Sequence, residues 1–117
     1  MEREYRLAKR EDFNKVYRAG KSVANHQFVL YYYKRSGQEN FRLGISASKK
    51  IGNAVVRNRM RRMIKEIVRL NNNKIVGGYD YIVIVRKPAV TLSYQELEKS
   101  VKHVFRKASL NKTASMI

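Results

Sequence analysis

Apolar residues recur along this chain at two periods, and each period marks the element that carries it. From Ala54 to Leu70, stepping each residue by about 100° puts Val56, Met60, Met63, Ile64, Ile67 and Leu70 on one face, the stripe of a helix packed on a core. Gly52 and Asn53 supply a turn and cap before it. Lys9 to Arg18 reads as a shorter helix ended near Gly20, with Phe13, Val16 and Tyr17 at helical spacing. Ser93 and Glu96 form a capping box for a last helix whose stripe is Tyr94, Leu97, Val101, Val104 and Phe105. Strands are read at Gln27 to Lys34 and Phe41 to Ser48, and Tyr79 to Arg86, closed by Pro88, supplies another, apolar strand. In the second of these, Phe41, Leu43, Ile45 and Ala47 point one way and Arg42, Gly44, Ser46 and Ser48 the other. The first two strands, joined across Ser36 to Asn40, are expected to form an antiparallel hairpin. One α+β domain over residues 1–117 follows, helices packed on a sheet, with an ordered core over about 5–110. The tail from Arg106 to Ile117 loses periodicity and is expected to fray beyond the last helix.

The polar positions carry the chemistry. If Phe28, Leu30 and Tyr32 join Leu43 and Ile45 in the core, then Val29, Tyr31 and Tyr33 share the opposite face with Arg42, Gly44 and Ser46. Such an aromatic, cationic surface can stack unpaired bases. For any one tyrosine the commoner outcome is burial under the first helix, against Phe13 and Tyr17. Across the long helix from its apolar stripe stand Asn58, Arg61, Arg62, Lys65 and Arg69, flanked by Arg57 and Arg59 and preceded by Lys49 and Lys50. Glu66 is the only acid in that span, so like charges at i, i+4 repel without relief. Phosphates meeting the face would supply that relief, and arginine's planar fork takes two oxygens at once.

Composition agrees. With 26 Lys+Arg against 9 Asp+Glu the net charge is +17, a field that attracts nucleic acid or an anionic membrane. The longest apolar run, Phe28 to Tyr33, is too short to span a bilayer, and Met1-Glu-Arg-Glu-Tyr does not open a signal peptide. A cytoplasmic protein is expected. Without cysteine there is no disulfide framework and no cysteine-ligated metal site. The acids are scattered with no pairing that suggests a two-metal nuclease, and His26 and His103 stand far apart. No nucleophile motif or phosphate-binding glycine loop is present. The residues read as an RNA-binding subunit without its own catalytic groups. Two alternatives stay open: another RNA module, such as a ribosomal protein or RNA chaperone, and a free-standing nuclease whose carboxylates converge only in the fold.

The segment KKIGNAVVRNRMRRMIKE resembles the signature of the protein subunit of bacterial ribonuclease P, with its Arg57-Asn58-Arg59 core followed by Arg61-Arg62. Phe13 after an acidic pair, Ser22 to Tyr31, Ser46 to Lys50 and Tyr79 to Pro88 are similar to that family too. Lys65 departs from it, bringing charge where an arginine is expected. The resemblance implies a mixed four-stranded sheet with about three helices and a left-handed β-α-β crossover around the basic helix. It implies a ribonucleoprotein endonuclease that hydrolyses a phosphodiester to free the 5′ leader of precursor tRNA, with Mg2+ held by the RNA and not by this chain. Carried over by position, Phe13, Tyr17, Val29, Tyr31, Arg42 and Ser46 would line a leader cleft. Lys49, Lys50, Asn53, Arg57, Asn58, Arg59, Arg61, Arg62, Lys65 and Arg69 would face the catalytic RNA. The implied partners are that RNA and precursor tRNA, not DNA or membrane, with the protein alone a monomer.

Overall fold

The structure, a computed structural model, describes residues 5–108. Helix α1 (Arg10–Ala19) leads into β1 (Lys21–Ala24) and β2 (Phe28–Lys34). Strand β3 (Arg42–Ser46), α2 (Ala54–Leu70), β4 (Tyr79–Val85) and α3 (Tyr94–Lys107) follow. The four strands form one mixed sheet in the order β1-β2-β4-β3. Strands β1, β2 and β4 pair antiparallel, while β3 lies parallel to β4 and is joined to it through α2.

That order corrects the expected hairpin. Strands β2 and β3 do not pair, because β4 lies between them. Tyr81, Ile82 and Val83 are buried in succession, so β4 is covered on both faces and takes a central place, where a near-continuous apolar run belongs. The chain leaving β2 therefore bridges the end of β4. Arg35 N–H donates to the Gly78 carbonyl at 2.8 Å. A Cβ on Gly77 would come within 2.1 Å of the Glu39 carbonyl oxygen, so this crossing admits only glycine.

The observed hairpin is β1–β2, whose first strand has too little apolar pattern to be expected from the sequence. Asn25 shapes its turn, its Oδ1 accepting from the N–H of Gln27 and of Phe28.

Helices α2 and α3 cover one face of the sheet. Met60, Ile64, Ile67, Val68, Leu97, Val101, Val104 and Phe105 meet Phe28, Leu30, Tyr81 and Val83 in the main core. The stripe on α2 is turned slightly from its expected position: Val68 is fully buried and Leu70, at the helix end, is 54% exposed. Asn53 caps α2, its Oδ1 accepting from Val56 N–H, and the Ser93–Glu96 capping box opens α3 as expected. Arg106 and Lys107 complete α3, and the tail beyond this helix, 109–117, lies outside the described residues. Helix α1 lies on the other face, where Leu7, Val16 and Ile82 make a small second core.

Candidate RNA-binding surfaces

Strand register fixes the face under α1. Alternation and pairing set Tyr33, Asp80 and Arg42 in one row across β2, β4 and β3. Tyr31, Ile82 and Gly44 form the next row, and Val29, Ile84 and Ser46 the third. Phe13 from α1 lies on Gly44 so closely that a Cβ there would come within 2.4 Å of its ring. Lys15 sits over the Tyr33 ring at 5.5 Å. The first two rows are thus covered by α1.

The third row is open. Val29, Ile84 and Ser46 are half-buried, and Ser22 and Ala24 of β1 extend the floor outward and are exposed. Its wall is aromatic: Tyr17 meets Tyr31 edge-on with centroids 5.0 Å apart, and Phe13 stands 6.4 Å behind Tyr17. Tyr17 remains 39% exposed. Burial raises its phenol pKa, opposed in part by a hydrogen bond with Ser46, so the hydroxyl stays protonated near neutrality. A ring held at its base and open along one side can stack a base.

The six expected cleft residues therefore share one surface, with unequal freedom. Arg42 is committed to the protein's own acids. Its Nε and Nη2 donate to the two oxygens of Asp80 at 2.8 Å each, and Nη1 reaches Asp12 of α1 at 3.3 Å. Arg35 Nε lies 3.0 Å from the same Asp80, whose side chain is 5% exposed. The Asp80 hydrogen bonds are the main reason the Arg42 pKa is raised. Sequence reasoning missed Asp80, Arg35 and Ile84. Alternation within the third strand segment could have found Ile84, but nothing local marks Asp80 as the partner of two distant arginines.

On the far side of the sheet, α2 presents its cations. Asn58, Arg59, Arg62 and Arg69 are exposed, as are Lys49, Lys50 and Asn53 at the turn before the helix. Among the described residues, Arg69 alone of these cations has a carboxylate partner, Glu66 one turn away. Arg61 is half-buried and turns toward β3, donating to the Ala47 carbonyl at 3.3 Å and to Asn58 Oδ1 at 3.0 Å. Lys65 lies beside it, half-buried, and Arg57 packs its stem so that Nε is buried without a partner. Asn58 thus orients an arginine.

No group of three His, Asp or Glu side chains among the described residues could hold a metal ion. No helix among them is long and apolar enough to cross a membrane.

An aromatic cleft on one face of a sheet and an arginine-rich helix on the other, in one small α+β domain, have the chemistry that suits RNA. Comparison with known proteins gives the family. The ribonuclease P family profile matches residues 1–109, and the chain belongs to that family. It is 50% identical over 115 residues to the ribonuclease P protein component of Bacillus velezensis, covering 98% of each chain. The RNase P protein of Staphylococcus aureus superimposes with a TM-score of 0.86 at 42% identity, over 92% of this chain and 97% of that one. That of Thermotoga maritima gives 0.81 at 32% identity, over 87% and 96%. This is a protein subunit of a tRNA-processing ribonucleoprotein enzyme.

Proposed function

We propose that the chain holds the single-stranded 5′ leader of precursor tRNA in the cleft between α1 and the sheet while α2 and the turn before it bind the catalytic RNA. The observation that carries this reading is the placement of the two surfaces on opposite faces of one sheet. One side offers π-faces suited to unpaired bases, the other unneutralised arginines suited to a folded backbone.

The protein's work is positioning and charge. By binding both RNAs it makes their encounter intramolecular, and its cations offset the repulsion between them. We assign the Mg2+ ions and the hydrolytic step to the RNA. Asp12, Asp80 and Glu66 are spent on arginines and not aimed at a phosphate. In this reading the protein is a cytoplasmic monomer until the RNA joins it.

The test is reconstitution. Adding the purified protein to bacterial ribonuclease P RNA and a precursor tRNA at low magnesium should restore 5′ processing, with a larger gain for substrates that keep their leader. No stimulation would favour an RNA module of another kind, and cleavage by the protein alone would favour a free-standing nuclease.

A further inference from the structure

Strand β3 is an edge of the sheet, and its outer side is only partly covered. The segment before α1 runs beside it for one bridge: Leu7 N–H donates to the Leu43 carbonyl at 3.0 Å. That bond places the backbone groups of Leu43 on the outer edge, and alternation places those of Ile45 and Ala47 there too. Arg61 covers the Ala47 carbonyl. Between these two closures, Ile45 lines a groove of about 290 Å³ bounded by the pre-helix segment, α1, β3 and α2. Phe13 forms one wall, Arg6, Arg61 and Lys65 bring three cations, and no acid among the described residues lines it.

We infer that this groove is a third nucleic-acid contact, seating one phosphodiester of a single RNA strand that passes over the β3 edge between the cleft and the outer face of α2. The chemistry matches. An outward backbone N–H flanked by a lysine and an arginine suits a phosphate oxygen, and Phe13 offers apolar surface to the attached sugar or base. An added peptide strand is the other occupant an open edge invites. Arg61 already occupies the Ala47 acceptor such a strand would need, and three cations among the described lining residues favour a phosphate. Because it joins the two proposed surfaces, the groove rests on that reading, and either the leader or the catalytic RNA could supply the strand.

The chain lacks cysteine, so one introduced thiol can be labelled uniquely. An azidophenacyl group on Ala8→Cys, an exposed lining position, is photolysed in the reconstituted holoenzyme with precursor or mature tRNA. The same label on Ser22→Cys reports the cleft. Crosslinks from position 8 that need a leader identify the leader as the strand, and crosslinks formed without tRNA identify the catalytic RNA. Either supports the groove. Adding Arg6→Gln should cut the position-8 yield several-fold and lower the salt slope of RNA binding by roughly 0.7 for the single-strand phosphate no longer neutralised, while position 22 still crosslinks. Crosslinking at 22 with none at 8, or a position-8 yield indifferent to that substitution, overturns the groove and leaves the proposed function standing. Silence at both positions overturns both.

Discussion

Asp80 shows how one residue can settle the form of a surface it does not reach. In a chain with so few acids, this carboxylate sits nearly buried on the central strand and receives the fork of Arg42 while Arg35 closes on it from the side. The remaining arm of Arg42 ties to Asp12, so the same cluster fixes α1 over the first row of the sheet. Asp80→Asn should therefore cost roughly 2–3 kcal/mol, the scale of hydrogen bonds to charged groups, at the low end for buried ion pairs because both arginines keep some solvent. Urea denaturation at neutral pH measures that loss. At temperatures where the variant is folded, its preference for precursor over mature tRNA should also shrink, because α1 carries Tyr17 of the cleft wall. A variant with unchanged stability would show the cluster to be idle. The sequence hides all of this: Asp80 is one of several scattered acids, and its partners lie 38 and 45 positions away, beyond any local pattern.

At the scale of elements, legibility follows how local the determining physics is. The bounds of helix α2 are legible to the residue, since its stripe, cap and charges lie in or next to its span, although Val68 and not Leu70 completes the buried stripe. Helix α3 is equally legible from Ser93 and Glu96. That capping box makes a prediction: Ser93→Ala should lower stability by about 1 kcal/mol, read as a shift in the denaturation midpoint. Its pH sense follows from Glu96, whose pKa is lowered chiefly by the Ser93 backbone N–H. A carboxyl depressed in the folded state stabilises fully above its unfolded pKa and loses that contribution as pH falls through the folded value. The gap between wild type and Glu96→Gln should accordingly close on acidification below about pH 4, the ordinary range of a glutamate. A gap that stayed constant would mean the side chain acts without its charge. The sheet was less legible. A hairpin between β2 and β3 satisfied every local rule, yet the run in β4 needed cover on both faces and took the place between them. Strand β1, short and mostly exposed, carries almost no pattern of its own.

At the scale of the whole molecule the excess of 17 positive charges has to be understood by where it is left open. Beneath α1 the fold neutralises part of it: Arg35 and Arg42 are tied to acids, and the exposed wall of the cleft is aromatic. Over α2 it is left bare at Arg59 and Arg62, with Glu66 serving only Arg69. That division was legible from helical periodicity for α2 and only partly for the sheet, where the aromatic face was evident but the clamp on Arg42 was not. The two regions should respond differently to salt. Replacing Arg59 and Arg62 with alanine should weaken binding to the catalytic RNA, and the slope of log affinity against log salt should shrink by roughly 0.9 for each duplex phosphate no longer neutralised. Because both side chains are exposed on a helix that alanine favours, stability should hold or rise slightly. Replacing Tyr17 with alanine should leave that slope nearly intact while reducing affinity for leader-bearing substrate by about 1–3 kcal/mol, the worth of one stacked base. Titrations of both variants at several salt concentrations separate the outcomes. If the arginine pair proved salt-neutral, the outer face of α2 would be a solvated surface and the catalytic RNA would have to be held elsewhere.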